Sequence, residues 1–270
     1  MSINNLEKFI ARIERGQVCV GVTITLSDPV VSELFGDLGY DFTWIDTEHC
    51  PFDHPATLAH VMAVRGTNAA PFVRVPISDP VLIKPIMEME PAGLIVPQVR
   101  NAADVERAVK ACRYPPTGTR GYGPRRGTRY GGVDIKSYLE DADTRTLVIA
   151  QIENREAVSS IAEIVEVPGL DGIVIGPNDL SGSLGCLGDA SDPRVLEAID
   201  TVIGHALRKG KYLGMAGAFD APTVRMWIEK GFQWLNLNED YSNLYRHSAL
   251  VLDEVRRMAV PPRTRGREGD

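Results

Sequence analysis

The chain has 270 residues, of which 44% are hydrophobic and 24% charged, with a formal net charge of −7. That length suffices for one large buried core, and the acidic balance speaks against a nucleic-acid partner, which selects for a basic face. No apolar run reaches the roughly 18 residues needed to span a bilayer, and the four cysteines (Cys19, Cys50, Cys112, Cys186) are widely spaced with no CxxC pair, which disfavours a disulfide framework or a structural zinc site.

The N-terminal stretch "MSINNLEKFIARIERGQ" is amphipathic and charged. It lacks the apolar centre of a signal peptide, so a cytoplasmic location is expected. From there apolar runs alternate with longer periodic segments. Strands are predicted over 18–25, 41–46, 70–75, 93–99, 145–153, 169–176, 212–217 and 232–238. Each is followed by a predicted helix, over 29–39, 54–66, 80–89, 101–113, 155–167, 192–210, 221–231 and 242–258. Strict alternation predicts parallel strands covered by helices. Eight such units in about 250 residues point to a (β/α)₈ TIM barrel, with a doubly wound open sheet as the structural alternative. Residues 1–260 are expected to form that single domain. The tail 261–270, "PPRTRGREGD", has no apolar periodicity and is expected to be disordered. A long Gly/Pro/Arg-rich loop, 114–134, follows the fourth strand; loops of this length are usually functional or mobile.

In such a barrel the chemistry sits at the carboxyl ends of the strands. Strand two ends at Asp46, with Glu48 and His49 just beyond. Strand three ends at Arg74, strand five at Gln151 and Glu153, and strand six runs into "GPNDLS" with Gly176, Pro177, Asn178 and Asp179. Each has a plainer reading: Asp46 or Asp179 as helix caps, Arg74 as an ion-pair partner, Glu153 as an acid favoured at a helix start. Their convergence on one rim argues for a site. Glu153 and Asp179 follow adjacent strands, and two carboxylates brought together call for a proton or a cation between them. An oxygen-only set favours Mg²⁺ or Mn²⁺; His49 as a third ligand would shift the preference towards Co²⁺ or Zn²⁺. The favoured reading makes His49 an acid/base, with Asp46 orienting its ring. Gly176 and the amides after it suit a substrate carboxylate. None of the seven lysines lies within a strand run, which disfavours imine chemistry.

The segments "FTWIDTEH", "PFVRVP", "LIVPQV", "RYPPTGTRGYG", "VIAQIENREA" and "GLDGIVIGPNDLSGSLG" occur in this order. Together they resemble the HpcH/HpaI family of metal-dependent class II pyruvate aldolases, whose members act on 4-hydroxy-2-oxoheptanedioate, 2-keto-3-deoxy-L-rhamnonate and 5-keto-4-deoxy-glucarate. The resemblance spans about residues 5–258. It implies a barrel of the phosphoenolpyruvate/pyruvate superfamily and a hexamer built as a trimer of dimers with the last helix swapped. It implies a metal (Mg²⁺, Mn²⁺ or Co²⁺) on Glu153 and Asp179, Arg74 at the enolate oxygen, and Asp46 and His49 as an acid/base dyad. Gln151 and Gly176–Asp179 would line the pyruvate site. The implied reaction splits a 4-hydroxy-2-oxo acid into pyruvate and an aldehyde, in aromatic or sugar-acid catabolism. The same enolate chemistry also serves a CoA-thioester lyase of the citrate lyase β-subunit type or a 2-oxo-acid decarboxylase; a non-catalytic metabolite-binding protein is the reading from another class. The chain departs from the family at Asn178, in "GFQWLNLNEDYSNL", where small residues are more usual, and in "GPRRGTRYGG". Arg125, Arg126 and Arg129 in the last of these are open to meeting an acidic aldehyde, to solvation or to bridging subunits.

Overall fold

This computed structural model of the protein describes residues 3–217 and 220–258. The tail expected to be disordered lies outside the described residues. Helix α1 (Leu6–Glu14) precedes β1 (Cys19–Ile24). Then come α2 (Val30–Asp37), β2 (Phe42–Asp46), α3 (His54–Ala63), β3 (Ala70–Arg74), α4 (Pro80–Met87) and β4 (Gly93–Val96). Two helices, α5 (Ala102–Cys112) and α6 (Ile135–Asp141), lie between β4 and β5 (Leu147–Ile152). The short α7 (Arg155–Ser159) and α8 (Ile161–Ile164) lead to β6 (Gly172–Ile175), and α9 (Pro177–Ser183) and α10 (Pro193–Arg208) to β7 (Tyr212–Gly217). Helix α11 (Ala221–Glu229), β8 (Trp234–Glu239) and α12 (Asp240–Arg257) complete the chain. The strands are parallel and pair in chain order, and β8 closes on β1. The expected (β/α)₈ barrel is what forms.

Local chemistry explains where the helices begin. Asp53, Asp79, Asn101, Asn154, Asp192 and Asp220 each accept a bond from an amide in the first turn of the helix they cap. Such caps satisfy donors that have no partner within the helix. Several elements differ from the sequence expectation, among them the short α9, which was not expected. The helix predicted over 155–167 breaks at Ser160 into α7 and α8. Helix α6 was not expected; it starts where Asp134 accepts from the amides of Lys136 and Ser137. The fourth strand stops at Val96 rather than 99, because Gln98 turns the chain with φ 55°.

Two apolar layers hold the barrel. The larger, mostly aliphatic one lies between strands and helices. The smaller fills the barrel's lower interior with Phe42, Trp44, Phe72 and Trp234. Helix α1 closes this end with the stripe Leu6, Phe9 and Ile13. The Phe9 ring sits 4.9 Å from Phe72 and 5.8 Å from Phe42, both in edge-on geometry, the arrangement aromatic quadrupoles prefer. Gly214 on β7 makes room for this cluster: a Cβ there would lie 2.1 Å from the Trp234 ring. With the floor packed, the barrel's cavity among the described residues lies at the opposite mouth.

The long loop is tied down outside that mouth. Arg120 lies over the Tyr114 ring at 4.5 Å and donates to the Met87 carbonyl at 2.9 Å. It also pairs with Glu88 and Glu90, and Tyr138 donates to Glu90 at 2.7 Å. Arg126 is buried and donates to the Met89 carbonyl at 2.6 Å. Arg125 and Arg126 line a separate cavity between α3, α4 and the loop. Among the described residues neither they nor Arg129 line the barrel-mouth cavity, so within this chain the loop arginines do not meet a substrate there.

Because Phe9 plugs the floor, Phe9→Ala is expected to lower stability by about 3–5 kcal/mol, the usual cost of emptying a buried aromatic site. Urea unfolding midpoints check this, and a loss of under about 1 kcal/mol would mean that α1 is not part of the core.

Candidate active site

Strands β2 and β3 run in register, with Asp46 opposite Arg74 at their carboxyl ends. The two side chains meet as a fork: Arg74 Nε donates to Asp46 Oδ1 at 3.0 Å and Nη2 to Oδ2 at 2.7 Å. Bidentate charge-assisted pairs of this kind are strong and directional. The guanidinium also lies 5.3 Å from the centre of the Trp44 ring. Asp46 Oδ1 accepts in addition from the amides of Glu48 (3.0 Å) and His49 (3.4 Å), which folds residues 47–50 into a turn. That turn delivers Glu48 to the other side of the guanidinium, with Oε2 3.0 Å from Nη1, an ion pair without hydrogen-bond geometry.

Burial pushes the Asp46 carboxyl up, but the hydrogen bonds and charge of Arg74 outweigh it and hold the group below the usual carboxylate range. Burial opposes the charge on Arg74 as well, and the Asp46 bonds together with the Asp46 and Glu48 charges more than restore it. Glu48 is different. Burial pushes it up to about 7, against the pull of Arg74 and with the push of Asp46 and Asp179.

Across the mouth, Gln151 ends β5 and Glu153 follows it, both buried. Glu153 Oε1 accepts from the Gln98 amide at 2.6 Å, and Oε2 accepts from the Gln151 side chain. Burial pushes Glu153 up to about 7; the Gln98 and Gln151 bonds oppose this, and the charges of Glu48 and Asp179 add to it. Gly176 packs tightly against them: a Cβ there would lie 3.1 Å from both Glu153 Oε2 and Gln151 Nε2. Pro177, Asn178 and Asp179 form the first turn of α9. Asp179 therefore sits inside the helix and is not its cap.

These elements enclose a cavity of about 370 Å³ at the barrel mouth, lined by Asp46, His49, Arg74, Gln151, Gly176, Pro177, Asn178 and Asp179. Of the nine residues singled out in the sequence, eight line it; Glu153 lies just beneath, behind Gln151 and Gly176. One expected pairing is not seen. The Asp46 carboxylate is engaged by Arg74 and by backbone amides, whereas the exposed His49 ring has Glu48 as its charged neighbour, at 3.7 Å from Nε2. The fork to Arg74 is the stronger claim on Asp46. The sequence offered no derivable role for Glu48, and the cavity-lining Thr23, Trp44, Asn236, Glu239 and Tyr241 were also missed. Asp240 was missed too: it is buried beneath the mouth and accepts from the amides of Thr25 (2.8 Å) and Leu26 (2.9 Å).

A metal was expected on Glu153 and Asp179. Among the described residues no three His, Cys, Asp or Glu side chains assemble into a cage. What the site does hold is the Glu153 carboxyl, raised by burial and by the charges of Glu48 and Asp179, beside a buried Gln151 Oε1 that has no hydrogen-bond partner. Such an open, oxygen-only donor set fits a hard divalent cation whose remaining positions are filled by water or substrate.

The family model described as HpcH/HpaI aldolase/citrate lyase matches residues 20–241. The chain belongs to this family. A 5-keto-4-deoxy-D-glucarate aldolase of Shigella sonnei is 34% identical over 233 residues, covering 86% of this chain and 90% of that protein. Among solved structures, an HpcH/HpaI family protein of Burkholderia cenocepacia is 30% identical, with a TM-score of 0.84 over 93% of this chain and 99% of its own. An HpcH/HpaI aldolase of Desulfitobacterium hafniense is 26% identical, with a TM-score of 0.87 over 94% and 98%. The citrate synthase SbnG is 30% identical, with a TM-score of 0.82 over 91% and 96%. This HpcH/HpaI protein is accordingly an aldolase, a carbon–carbon lyase.

The raised carboxyls of Glu48 and Glu153 make its stability depend on pH. Both titrate near 7 when folded, against about 4.5 for a free glutamate. Between those values the unfolded chain has released protons that the folded chain keeps, so stability present below about pH 4.5 is lost as the pH rises through 7. In EDTA, the melting temperature is expected to fall from pH 5.5 to pH 8, and Glu153→Gln to reduce the fall. A melting temperature that rises over this range in the unsubstituted protein would show that the two carboxyls are not the dominant titrating pair.

Proposed function

We propose that this aldolase makes and breaks 4-hydroxy-2-oxo acids, with pyruvate as the constant half and an aldehyde as the other, and that it works with a divalent cation, Mg²⁺, Mn²⁺ or Co²⁺, on Glu153 and Asp179. The observation that carries the reading is Arg74: a guanidinium clamped by Asp46 at 2.7 and 3.0 Å, backed by Glu48, and facing the cavity shared with Gln151 and Asp179. A guanidinium has five N–H donors, about two of which Asp46 occupies, so others remain to face the cavity. A cation held rigidly in a half-enclosed pocket stabilises negative charge as it develops and needs little reorganisation.

The chemistry of the chain's own residues follows. The amides at the start of α9, after Gly176, and the Asn178 side chain receive the substrate carboxylate. A ring nitrogen of His49, which lies beside Glu48, takes the proton of the 4-hydroxyl. As the C3–C4 bond breaks, its electrons pass into the enolate of pyruvate, and the oxygen of that enolate lies against Arg74. Asp46 contributes by positioning Arg74. The aldehyde leaves, and protonation at C3 completes pyruvate. When bound, the divalent cation supplies Lewis-acid polarisation of the 2-oxo group.

The protein is proposed to be a homo-oligomer, a hexamer by family resemblance. Helix α12 supports this: only Asp240 of it is buried, and Leu244, Tyr245, Leu250 and Val255 are exposed along it. Apolar exposure on this scale marks an interaction surface. Among the described residues no helix is long and apolar enough to cross a membrane. All four cysteines are free thiols, which fits the proposed cytoplasmic location. The likeness to SbnG favours a second reading, bond formation to a citrate-type product, which a direct product analysis separates from pyruvate chemistry.

Pyruvate release from a 4-hydroxy-2-oxo acid, followed with lactate dehydrogenase, tests the proposal. Activity is expected to vanish in EDTA and to return with Mg²⁺ or Mn²⁺. Arg74→Ala is expected to lower turnover roughly 10²-fold or more, the scale of losing one oxyanion stabiliser. Full activity in EDTA would remove the metal from the reading, and near-normal turnover of Arg74→Ala would remove the enolate role.

A further inference from the structure

The groups assigned to the pyruvate half stand on β2, β3, β5 and α9. The facing wall, built from β1 and β8, takes no part in that chemistry, yet it carries a buried polar pair. Asn236 on β8 is 4% exposed and lines the cavity. Its Nδ2 donates to Thr23 Oγ1 on β1 at 2.6 Å, and its Oδ1 has no partner. Buried amide atoms are rarely left unpaired, because their lost hydration is not repaid. Thr23 lines the same cavity.

The backbone beside this pair is irregular. Gly21 pairs with Asn236 but Thr23 pairs with Glu239, so β8 carries one residue more than β1 across the same interval. Asn238 absorbs the extra residue with φ 64°. Bulges of this kind recur at barrel rims, where they re-aim side chains. Here the bulge brings Asn236, Asn238, Glu239 and, just beyond the strand, Tyr241 onto the cavity. The β1–β8 side of the cavity therefore presents amides and hydroxyls, together with the Glu239 carboxylate.

We propose that the Asn236–Thr23 pair selects the aldehyde half by hydrogen-bonding a hydroxyl of its chain, so that the enzyme takes hydroxylated aldehydes in preference to alkanals. The chemistry of the unpaired atom narrows the partner. If the amide is rotated by half a turn, its nitrogen is left unpaired instead of its oxygen. A hydroxyl both donates and accepts and satisfies either arrangement; an alkyl group satisfies neither. A site built to pair a hydroxyl discriminates strongly against the analogue that lacks it, because its own polar groups are then left bare. This inference rests on the pyruvate aldolase reading and deepens it at the other end of the same cavity.

The test compares kcat/KM for glycolaldehyde and acetaldehyde, which differ by one hydroxyl, in condensation with pyruvate and Mn²⁺. The unsubstituted enzyme is expected to favour glycolaldehyde by at least about 10²-fold. In Asn236→Leu the ratio is expected to fall at least tenfold, through loss of glycolaldehyde turnover. Thr23→Val, which leaves both strands their backbone pairing, is the second variant and is expected to move the ratio in the same direction. Exchange of the pyruvate methyl protons in deuterated water is followed in parallel on the unsubstituted enzyme. Exchange with an equal preference for the two aldehydes overturns the inference alone. A preference that survives both substitutions also overturns it and assigns the unpaired amide atom to a bound water. If neither exchange nor condensation occurs, the aldolase reading is overturned and the inference falls with it.

Discussion

Much of this site depends on one buried ion pair, the fork between Asp46 and Arg74. It joins the ends of β2 and β3, lies over Trp44, and through the Asp46 carboxylate also shapes the turn that carries Glu48 and His49. Removing one partner of such a pair leaves an uncompensated buried charge, which costs far more than the pair itself contributes. What the arrangement offers is geometry: it holds the guanidinium rigidly at the cavity, where the proposed reaction develops negative charge.

Around that cation the electrostatics are deliberately unbalanced. Asp46 satisfies Arg74, yet Glu48 and Glu153 are pushed upwards by burial and by the acidic groups that crowd the same mouth. A site of this kind is costly in the free protein and is relieved by a cation or a proton. Strong perturbation by burial together with like charges is a feature of functional clefts. Beneath the site, Phe9 of α1 packs with Phe42, Phe72 and Trp234 and fills the floor of the barrel.

The barrel then has two walls with different tasks. The β2, β3, β5 and α9 side is charged and, in the proposed reaction, serves the common 2-oxo acid half. The β1 and β8 side is neutral where Asn236 and Thr23 meet and acidic at Glu239. Separating the walls lets one vary in substrate choice while the other keeps its chemistry, which is why barrels of this type support many reactions by variation at the strand ends.

Much of this was legible in the amino-acid sequence. The strands read as apolar runs because both their faces are buried, and the helices as periodic segments opened by Asp or Asn caps, so the barrel followed from alternation. The rim residues Asp46, Arg74, Gln151 and Asp179 followed from their places at strand ends. Sequence-local signals did not extend to α6 and α9, which are short and lack a long apolar stripe, nor to the break at Ser160. They also could not say which charge Asp46 serves. His49 is three residues away along the chain and Arg74 is 28, yet parallel register puts Arg74 directly opposite. The same holds for Glu48, Asn236 and Thr23: their partners stand on other strands, and contacts between distant segments are set by register, bulge and barrel closure. The sequence determined which residues reach the mouth of the barrel, because that depends on where each strand ends. Only the tertiary structure decided which of them meet.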